Sequence, residues 1–169
     1  MISDKIRDIL NEQINKEFYS SYLYLSMSAY FAEIGLYGFA NWTKVQSKEE
    51  IDHGMILFEY VIGRNSQIHL NQIATPMFDM SSPQAIFEQI YQHERAITAS
   101  IDKVATLTEG ECDLATRNFI DGYLREQIEE EAQVSKIIAR LKTFGAEKSA
   151  LYLIDRELQK REYHQKIYL

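Results

Sequence analysis

The placement of proline constrains the fold of this chain more than any other feature. The sequence has 169 residues but only two prolines, Pro76 and Pro83, both in one short segment. Since proline disrupts helix interiors and central strands, the long blocks on either side favour long helices. Hydrophobic residues make up 46% of the chain and charged residues 25%, which is ordinary for one globular domain. The sequence therefore predicts a single all-α domain over residues 1–169.

Helical periodicity and end signals divide the two blocks into five helices. Ser81 and Ser82 are candidate N-caps for the third helix, Asp113 is one for the fourth, and Gly145 is a candidate C-cap. The predicted helices span about Asp4–Ile34, Phe39–Gln67, Pro83–Thr108, Leu114–Phe144 and Ala146–Leu158. The resulting divisions are a four-helix bundle over about 4–144, a short fifth helix over about 146–158 and a tail over 159–169.

The segment "IHLNQIATPMFDMSS" between the second and third helices decides the topology. Short turns join the first helix to the second and the third to the fourth, so each pair is an antiparallel hairpin. A helix of nearly 30 residues is ~45 Å long, and the connecting segment can reach ~50 Å. It can cross the full length of the bundle and leave the second and third helices parallel. The tail either frays or lines a contact between subunits.

Each of the first four helices has an inward stripe that is interrupted near its middle by side chains able to bind metal. The stripes follow spacings of three and four residues, as expected for a buried helix face. The interrupting residues are Glu17, Glu50, His53, Glu94, Gln127 and Glu130. Counted from the turns at ~1.5 Å per residue, their levels agree to within about one helical turn. We therefore expect the six side chains to converge on one layer.

The same residues form a hidden repeat. The pairs separated by an identical 77 residues are Glu17 and Glu94, Glu50 and Gln127, and His53 and Glu130. The residues around these pairs repeat as well, because "EEIDH" at 49–53 corresponds to "EQIEE" at 126–130. Two copies of a helical hairpin that face each other across an approximate dyad would give two adjacent metal sites.

The layer has a structural alternative. A lone buried Glu or His is more often a paired structural residue than a metal ligand. Four carboxylates at one level, with no Lys or Arg on the same layer of the stripes, would cost roughly several kcal/mol each. Two divalent cations would balance Glu17, Glu50, Glu94 and Glu130 charge for charge. The six residues together therefore favour metal binding.

The ligand types indicate the metal and its chemistry. Carboxylates with a single imidazole favour Fe²⁺ or Mn²⁺, although zinc can compete. Adjacent metals bridged by Glu50 can pass two electrons to one O₂ or peroxide molecule. Gln127 cannot bridge two cations as a carboxylate does, so the metal near Glu94 and Glu130 should be held more loosely. Loose binding suits iron that passes through as a substrate. The net charge of −7 makes multivalent cations plausible partners and nucleic acid an unexpected one.

These motifs resemble those of bacterial non-haem ferritins, and the resemblance covers nearly the whole chain. It rests on Glu17, Tyr24, "EEIDH", Glu94 and "EQIEEE", with the long crossover and the short fifth helix. The resemblance implies an iron-storage ferroxidase: a shell of 24 subunits that oxidises Fe²⁺ and stores it as ferric oxyhydroxide. The oxidant would be O₂ or H₂O₂.

The resemblance also implies roles for particular residues. The first iron site would be formed by Glu17, Glu50 and His53. The second would be formed by Glu50, Glu94 and Glu130, with Gln127 close by. A possible third iron site would be formed by Glu49, Glu126 and Glu129, with Glu130 shared. Tyr24 matches a tyrosine beside the centre that can donate an electron, with core packing as the alternative.

Departures from other relatives narrow the expectation. Bacterioferritins have a haem-ligating methionine where this chain has Ile51, and a second Glu-x-x-His motif, so no haem is expected. Rubrerythrin-like peroxidases need a cysteine-ligated iron domain, which the single Cys112 cannot provide. No apolar run is long enough to span a bilayer and the start has no signal-peptide pattern, so the predicted location is the cytoplasm without membrane attachment.

Two rival functions remain open. One is a discrete di-iron oxidase or peroxidase that keeps its iron and acts on another substrate. The other is a helical structural or interaction protein whose buried acids specify the register of the helices. The second rival predicts that metal does not increase stability.

Overall fold

The computed structural model describes residues 2–165, which form five helices and contain no strand. The helices are α1 (Asp4–Glu33), α2 (Tyr37–Gly63), α3 (Pro83–Gly110), α4 (Leu114–Phe144) and α5 (Lys148–Leu158). The predicted all-α fold, a four-helix bundle with a short fifth helix, is confirmed.

Side-chain caps fix where three of the helices begin. Ser82 Oγ accepts a hydrogen bond from the Ala85 amide at 3.1 Å, and Asp113 Oδ1 accepts one from the Thr116 amide at 3.1 Å. Both caps were predicted. Ser3 caps α1 in the same way, and this cap was not predicted from the sequence.

The main error in the predicted bounds concerns the end of α2, which lies at Gly63 and not at Gln67. Asn65 adopts a left-handed conformation with φ of 52°, which stops the helix. The Ser66 amide then donates to Val61 O at 3.2 Å and closes the last turn. The connection to α3 is therefore longer than predicted and spans residues 64–82.

Hydrogen bonds between helices establish the directions of the chain. Ser21 Oγ lies 3.1 Å from Ser47 Oγ, and Ser28 Oγ donates to Ala40 O, so α1 and α2 are antiparallel. Between α1 and α3, Gln13 pairs with Ser100 and Tyr24 pairs with Glu94, which makes these helices antiparallel as well. It follows that α2 and α3 are parallel and that segment 64–82 crosses the bundle, as predicted.

The hydrophobic core is divided into two clusters. One cluster is rich in aromatic rings and includes Phe31, Phe39, Trp42 and Phe87. The other is mainly aliphatic and includes Leu10, Ile14, Leu57, Ile101 and Val104. Each fully buried side chain of this size contributes roughly 1.5–3 kcal/mol through burial. The interrupting residues of the four stripes lie between the clusters, so well-packed apolar layers hold them from both sides.

A buried carboxylate ties α5 to the start of α2. Asp155 Oδ1 accepts hydrogen bonds from the amides of Gly38 at 2.7 Å and Phe39 at 3.0 Å. A Cβ atom at Gly38 would lie 1.6 Å from Asp155 O, so only glycine permits this approach. Asp155 therefore supplies the N-terminal hydrogen-bond acceptor that Leu36 cannot.

The described part of the tail, residues 159–165, lies along α2 of the same chain and does not fray. Asn41 Nδ2 donates to Arg161 O at 2.9 Å, and Tyr163 OH donates to Asp52 Oδ2 at 2.8 Å. The predicted contact between subunits stays a prediction for this segment. The rest of the predicted tail, 166–169, lies outside the described residues.

Candidate metal centre

The structure brings the six layer residues together at the middle of the bundle. Their exposed fractions lie between 1% and 5%, so all six are buried. They include two groups whose candidate ligand atoms lie within 4.8 Å of one another. The first group is Glu17, Glu50 and His53, and the second is Glu50, Glu94 and Glu130. Glu50 belongs to both groups, which is the geometry of two adjacent sites with one shared carboxylate.

A close approach of α1 and α2 assembles the first group. A Cβ atom at Gly54 would lie 2.7 Å from the Phe18 ring, a distance that real Cβ contacts do not show. Glu17 precedes Phe18 in the chain, and His53 precedes Gly54. Glycine at position 54 therefore lets the two helices approach each other beside both candidate ligands. Helix packing therefore sets the distance between these two candidate ligands.

Two glutamines hold the carboxylates of the first group. Gln13 Nε2 donates to Glu17 Oε1 at 2.7 Å, and Ser100 Oγ in turn donates to Gln13 Oε1 at 2.6 Å. Gln46 Nε2 donates to Glu50 Oε1 at 2.9 Å and to Glu130 Oε2 at 2.8 Å. Each glutamine stands four residues before its glutamate, so one face of each helix carries both.

The second group is held by different donors. Tyr24 OH donates to Glu94 Oε1, and Gln127 Nε2 donates to Glu94 Oε2 at 3.1 Å. Gln127 therefore acts as a hydrogen-bond donor to a carboxylate, while the equivalent Glu50 is itself a carboxylate. This difference between the two halves follows directly from the amide side chain.

Two buried carboxylate oxygens, Glu17 Oε2 and Glu130 Oε1, have no hydrogen-bond partner within residues 2–165. A buried acceptor without a partner is costly, and each such atom calls for an explanation. One of the two atoms belongs to each group of three. A cation in each group would supply the missing partner, and the donor set of carboxylates and one imidazole fits Fe²⁺.

His53 lies between two carboxylates. Its Nδ1 is 3.3 Å from Glu50 Oε2, and its Nε2 is 3.4 Å from Glu126 Oε1. A metal-binding histidine commonly directs its second ring nitrogen to a carboxylate, which orients the ring. Glu126 is placed to do this, and His53, Glu126 and Glu130 also form a third group with ligand atoms within 4.8 Å.

The predicted third iron site is only partly gathered. Glu126 and Glu130 lie together, whereas Glu49 Oε2 lies 2.5 Å from Arg161 Nη2. Glu129 is exposed, and neither Glu49 nor Glu129 belongs to any of the groups found in residues 2–165. The third site therefore stays a prediction.

Burial and mutual repulsion raise the pKa of three carboxyl groups. Burial, with the charge of Glu50, raises the pKa of Glu17 to about 8 and that of Glu94 to about 7. Burial, with the charges of Glu94 and Glu50, places the pKa of Glu130 well above its ordinary value. Protons are therefore retained on these groups near neutral pH when no other cation balances them.

Glu50 and His53 are shifted towards the charged form. Burial opposes ionisation of Glu50, but hydrogen bonding to His53 and its charge outweigh burial and lower the pKa of the carboxyl. Burial also opposes the charged form of His53, but Glu126 and Glu50 outweigh it and raise the pKa of the imidazole. His53 thus carries a proton at a ring nitrogen that a cation would take, so cation binding should release this proton.

Gln13, Gln46 and Arg161 were not predicted to contribute to this centre. The pattern Gln-x-x-x-Glu at 13–17 and again at 46–50 could have revealed both glutamines. Arg161 has no such signal, because only the fold of the tail brings it to α2.

Comparison with known proteins identifies the family. The model of the ferritin-like domain matches residues 7–144, which is most of the chain. This chain belongs to the ferritin family. It is 38% identical over 161 residues to the bacterial non-heme ferritin of Bacteroides fragilis (strain YCH46), covering 95% of this chain and all of that one. It is 36% identical over 159 residues to the bacterial non-heme ferritin of Campylobacter jejuni, covering 94% and 95%.

Solved ferritin structures show the same fold. The open pore ferritin of the hyperthermophilic archaeon Archaeoglobus fulgidus superposes with a TM-score of 0.94 at 43% identity, covering 95% of this chain and 98% of that one. As a ferritin, the chain has the predicted connectivity, with one long connection between the second and third helices. None of the described helices has the length and apolar character needed to cross a membrane. The expected absence of haem stays a prediction, based on Ile51.

Proposed function

We propose that this ferritin is an iron-storage ferroxidase. It binds Fe²⁺ at Glu17, Glu50 and His53 and at Glu50, Glu94 and Glu130, oxidises it with O₂ or H₂O₂, and stores the product as ferric oxyhydroxide inside a shell. A shell of 24 subunits, a cytoplasmic location, and an additional iron site at Glu49, Glu126, Glu129 and Glu130 belong to the proposal. The names of the relatives, bacterial non-heme ferritins, support it.

The observation that carries the proposal is the pair of buried groups that share Glu50. Two sites this close hold two Fe²⁺ ions beside one oxidant molecule. Each Fe²⁺ loses one electron, and one O₂ gains two electrons and two protons to become H₂O₂. With H₂O₂ as the oxidant, the same two electrons and two protons give two water molecules. Both reactions balance with two iron ions.

The side chains of this chain do three things in that reaction. Glu17, Glu94 and Glu130 give up their protons as Fe²⁺ binds, since their raised pKa values keep them protonated beforehand. Gln46 and Gln13 hold the carboxylates in place. Gln127 adds no negative charge, so the second site releases Fe³⁺ towards the mineral more readily than a bridging carboxylate would allow.

Tyr24 is the proposed electron donor beside the centre. Its hydroxyl donates to Glu94 and is fully buried. Burial, with the charges of Glu94 and Glu50, raises the pKa of Tyr24 well above its ordinary value, so the side chain stays a neutral phenol. This neutral phenol is hydrogen-bonded to a candidate ligand. It would supply an electron only to an oxidant that takes more than the two electrons of the iron pair, and its proton would then pass to the Glu94 carboxylate.

The test is aerobic loading with a large excess of Fe²⁺, followed by size-exclusion chromatography that measures protein and iron in each fraction. The proposal predicts a very large particle that carries far more iron than a few atoms per chain. A small species that keeps at most two iron ions per chain would support the rival di-iron oxidase and contradict storage. A protein that elutes without iron would contradict the metal centre itself.

A further inference from the structure

Arg161 connects the tail to the edge of the metal centre. Its guanidinium carbon lies 4.4 Å from the centroid of the Trp42 ring, and its Nη1 donates to Trp42 O at 3.3 Å. Nη2 donates to Glu49 Oε2 at 2.5 Å and to Gln46 Oε1 at 2.8 Å. One guanidinium therefore makes a stacking contact and three hydrogen bonds with α2, and it does so with little exposure, since 17% of its side chain is accessible.

The contact with Gln46 fixes the orientation of an amide inside the centre. Because Gln46 Oε1 accepts from Arg161, its Nε2 must point to the other side, where it donates to Glu50 and Glu130. The oxygen and nitrogen of an amide are nearly equal in size, so hydrogen-bond partners alone choose between the two orientations. The carboxylates of Glu50 and Glu130 favour this orientation because they accept from Nε2, and Arg161 reinforces it from the opposite side by donating to Oε1.

The contact with Glu49 has a different consequence. Glu49 is 6% exposed, and its charge is balanced by the guanidinium of Arg161. Glu130, across the bundle from Gln46, has a buried oxygen with no hydrogen-bond partner in the described part of the chain. A divalent cation bound between α2 and α4 at Glu49 would lie within a few ångströms of the positively charged guanidinium. Repulsion at that distance in a partly buried site is strong.

We propose that Arg161 is a built-in cation of this centre, and that docking of the tail and binding of a divalent cation at Glu49 exclude each other. A cation that takes Glu49 releases the guanidinium from Glu49, Gln46 and Trp42 together. A docked Arg161 keeps Gln46 oriented and limits the centre to its two inner cations. This inference rests on the proposed function, because it assumes that Glu17, Glu50, His53, Glu94 and Glu130 bind divalent cations.

The chain contains its own reporter for this exchange. Trp42 is the only tryptophan, and Arg161 stacks on its ring, so its fluorescence follows docking of the tail. Zn²⁺ is the suitable probe because it is redox-silent. We would titrate the full-length protein with Zn²⁺ and measure bound zinc by equilibrium dialysis and Trp42 emission in parallel samples. The first two zinc ions should leave the emission unchanged, and the third should change it.

Arg161→Gln removes the competing charge. In this variant the third zinc should bind on the order of 10-fold more tightly than in the wild type, and Trp42 emission should no longer respond to zinc. Arg140→Gln is the matched control. It also removes an arginine that holds the C-terminal part of the chain, through the Arg140 to Glu157 ion pair at 2.7 Å, but it does not touch Gln46 or Glu49. It should behave as the wild type.

Glu49→Gln tests the exchange from the other side and does not depend on the folding of the arginine variant. It should abolish the third zinc and the emission change while leaving the first two zinc ions bound. Equal affinity for the third zinc in wild type and Arg161→Gln, or a third zinc that leaves Trp42 emission unchanged, would overturn the role of Arg161. A failure of the first two zinc ions to bind would contradict the proposed function as well.

Discussion

The two halves of the candidate metal centre are related by a 77-residue repeat, yet they hold their carboxylates differently. In the first half, Gln13 and Gln46 each donate to a glutamate one turn along the same helix. In the second half, the main donors to Glu94 come from other helices, Tyr24 from α1 and Gln127 from α4. The repeat places the six side chains at equivalent positions, but the hydrogen bonds to the carboxylates differ between the halves.

One residue difference separates the two similar sites. Glu50 is charged and shared by both groups, whereas its counterpart Gln127 is neutral and serves only as a donor to Glu94. Both sites depend on Glu50 for part of their charge, but the second half supplies no shared carboxylate of its own, because Gln127 is neutral. This asymmetry leads us to expect that iron is retained at the first site and passes through the second.

Removing the shared carboxylate should have the largest effect, because it damages both halves at once. In Glu50→Gln we expect the initial rate of Fe²⁺ oxidation to fall by more than ~100-fold, beyond the loss typical of a residue that only orients a ligand. Stopped-flow absorbance under aerobic conditions measures this rate. Glu59→Gln, an exposed glutamate on the same helix, should leave the rate unchanged. A rate in Glu50→Gln close to that of the wild type would remove the metal assignment.

Making the halves alike is the next test. Gln127→Glu adds a carboxylate at the position equivalent to Glu50, so the second site should hold its cation about 10-fold more tightly. The variant should also keep more iron per chain after oxidation, measured by metal analysis of the desalted protein. Without metal, the additional buried charge should lower the melting temperature by several degrees. If iron leaves the variant as quickly as the wild type, Gln127 does not set the asymmetry.

The pH dependence of stability should distinguish the halves without metal. The folded pKa of Glu17, about 8, and that of Glu94, about 7, both exceed the ordinary 4.5. Their contributions to the free energy of unfolding are therefore present in full below pH 4.5 and lost as pH rises through about 7 and 8. Melting temperatures in chelator should fall between about pH 5 and pH 8.

Two variants separate the contributions of the halves to that slope. Glu94→Gln should remove a part of the fall that ends near pH 7, and Glu17→Gln should remove a part that continues to about pH 8, each by at least ~3 °C. Glu129→Gln, which changes an exposed glutamate, should keep the full slope. Melting curves of all variants that are parallel across this range would show that the buried carboxyl groups do not retain protons.

The smallest effect should come from Tyr24, which lies on α1 in the first half and donates a hydrogen bond to Glu94 in the second half. Tyr24→Phe removes the hydroxyl that donates to Glu94, a loss worth about 1 kcal/mol, or roughly fivefold in affinity for the second cation. Anaerobic Co²⁺ titration followed by its visible absorption measures both sites. Tyr19→Phe is the control. Tyr19, like Tyr24, packs against the ring of His93, but it does not donate a hydrogen bond to Glu94. An equal loss at the first site would mean that Tyr24 supports the whole layer.

Much of this arrangement was predictable from periodicity. The stripes and the repeat place Glu17, Glu50 and Glu94 at one level because helices have a fixed rise per residue. The long crossover predicted the parallel second and third helices for the same geometric reason. The end of α2 was missed because Asn65 stops the helix through a left-handed backbone, a role that glycine fills more often.

The remaining features depend on contacts that periodicity cannot show. Arg161 reaches the edge of the centre only because the tail turns back along α2, and nothing in the spacing of the tail specifies that path. Asp155 caps α2 from another helix for a similar reason. The partner of Glu49 was likewise unpredictable, because a glutamate beside a ligand looks the same in sequence whether a metal or an arginine balances it.

The most direct test of the account is anomalous diffraction from crystals soaked with Fe²⁺ under anaerobic conditions. We expect two iron positions inside the bundle, the first in contact with Glu17, Glu50 and His53 and the second in contact with Glu50, Glu94 and Glu130. The second position should be the less occupied one. Iron found only at exposed carboxylates, with none in the layer between the two hydrophobic clusters, would contradict it.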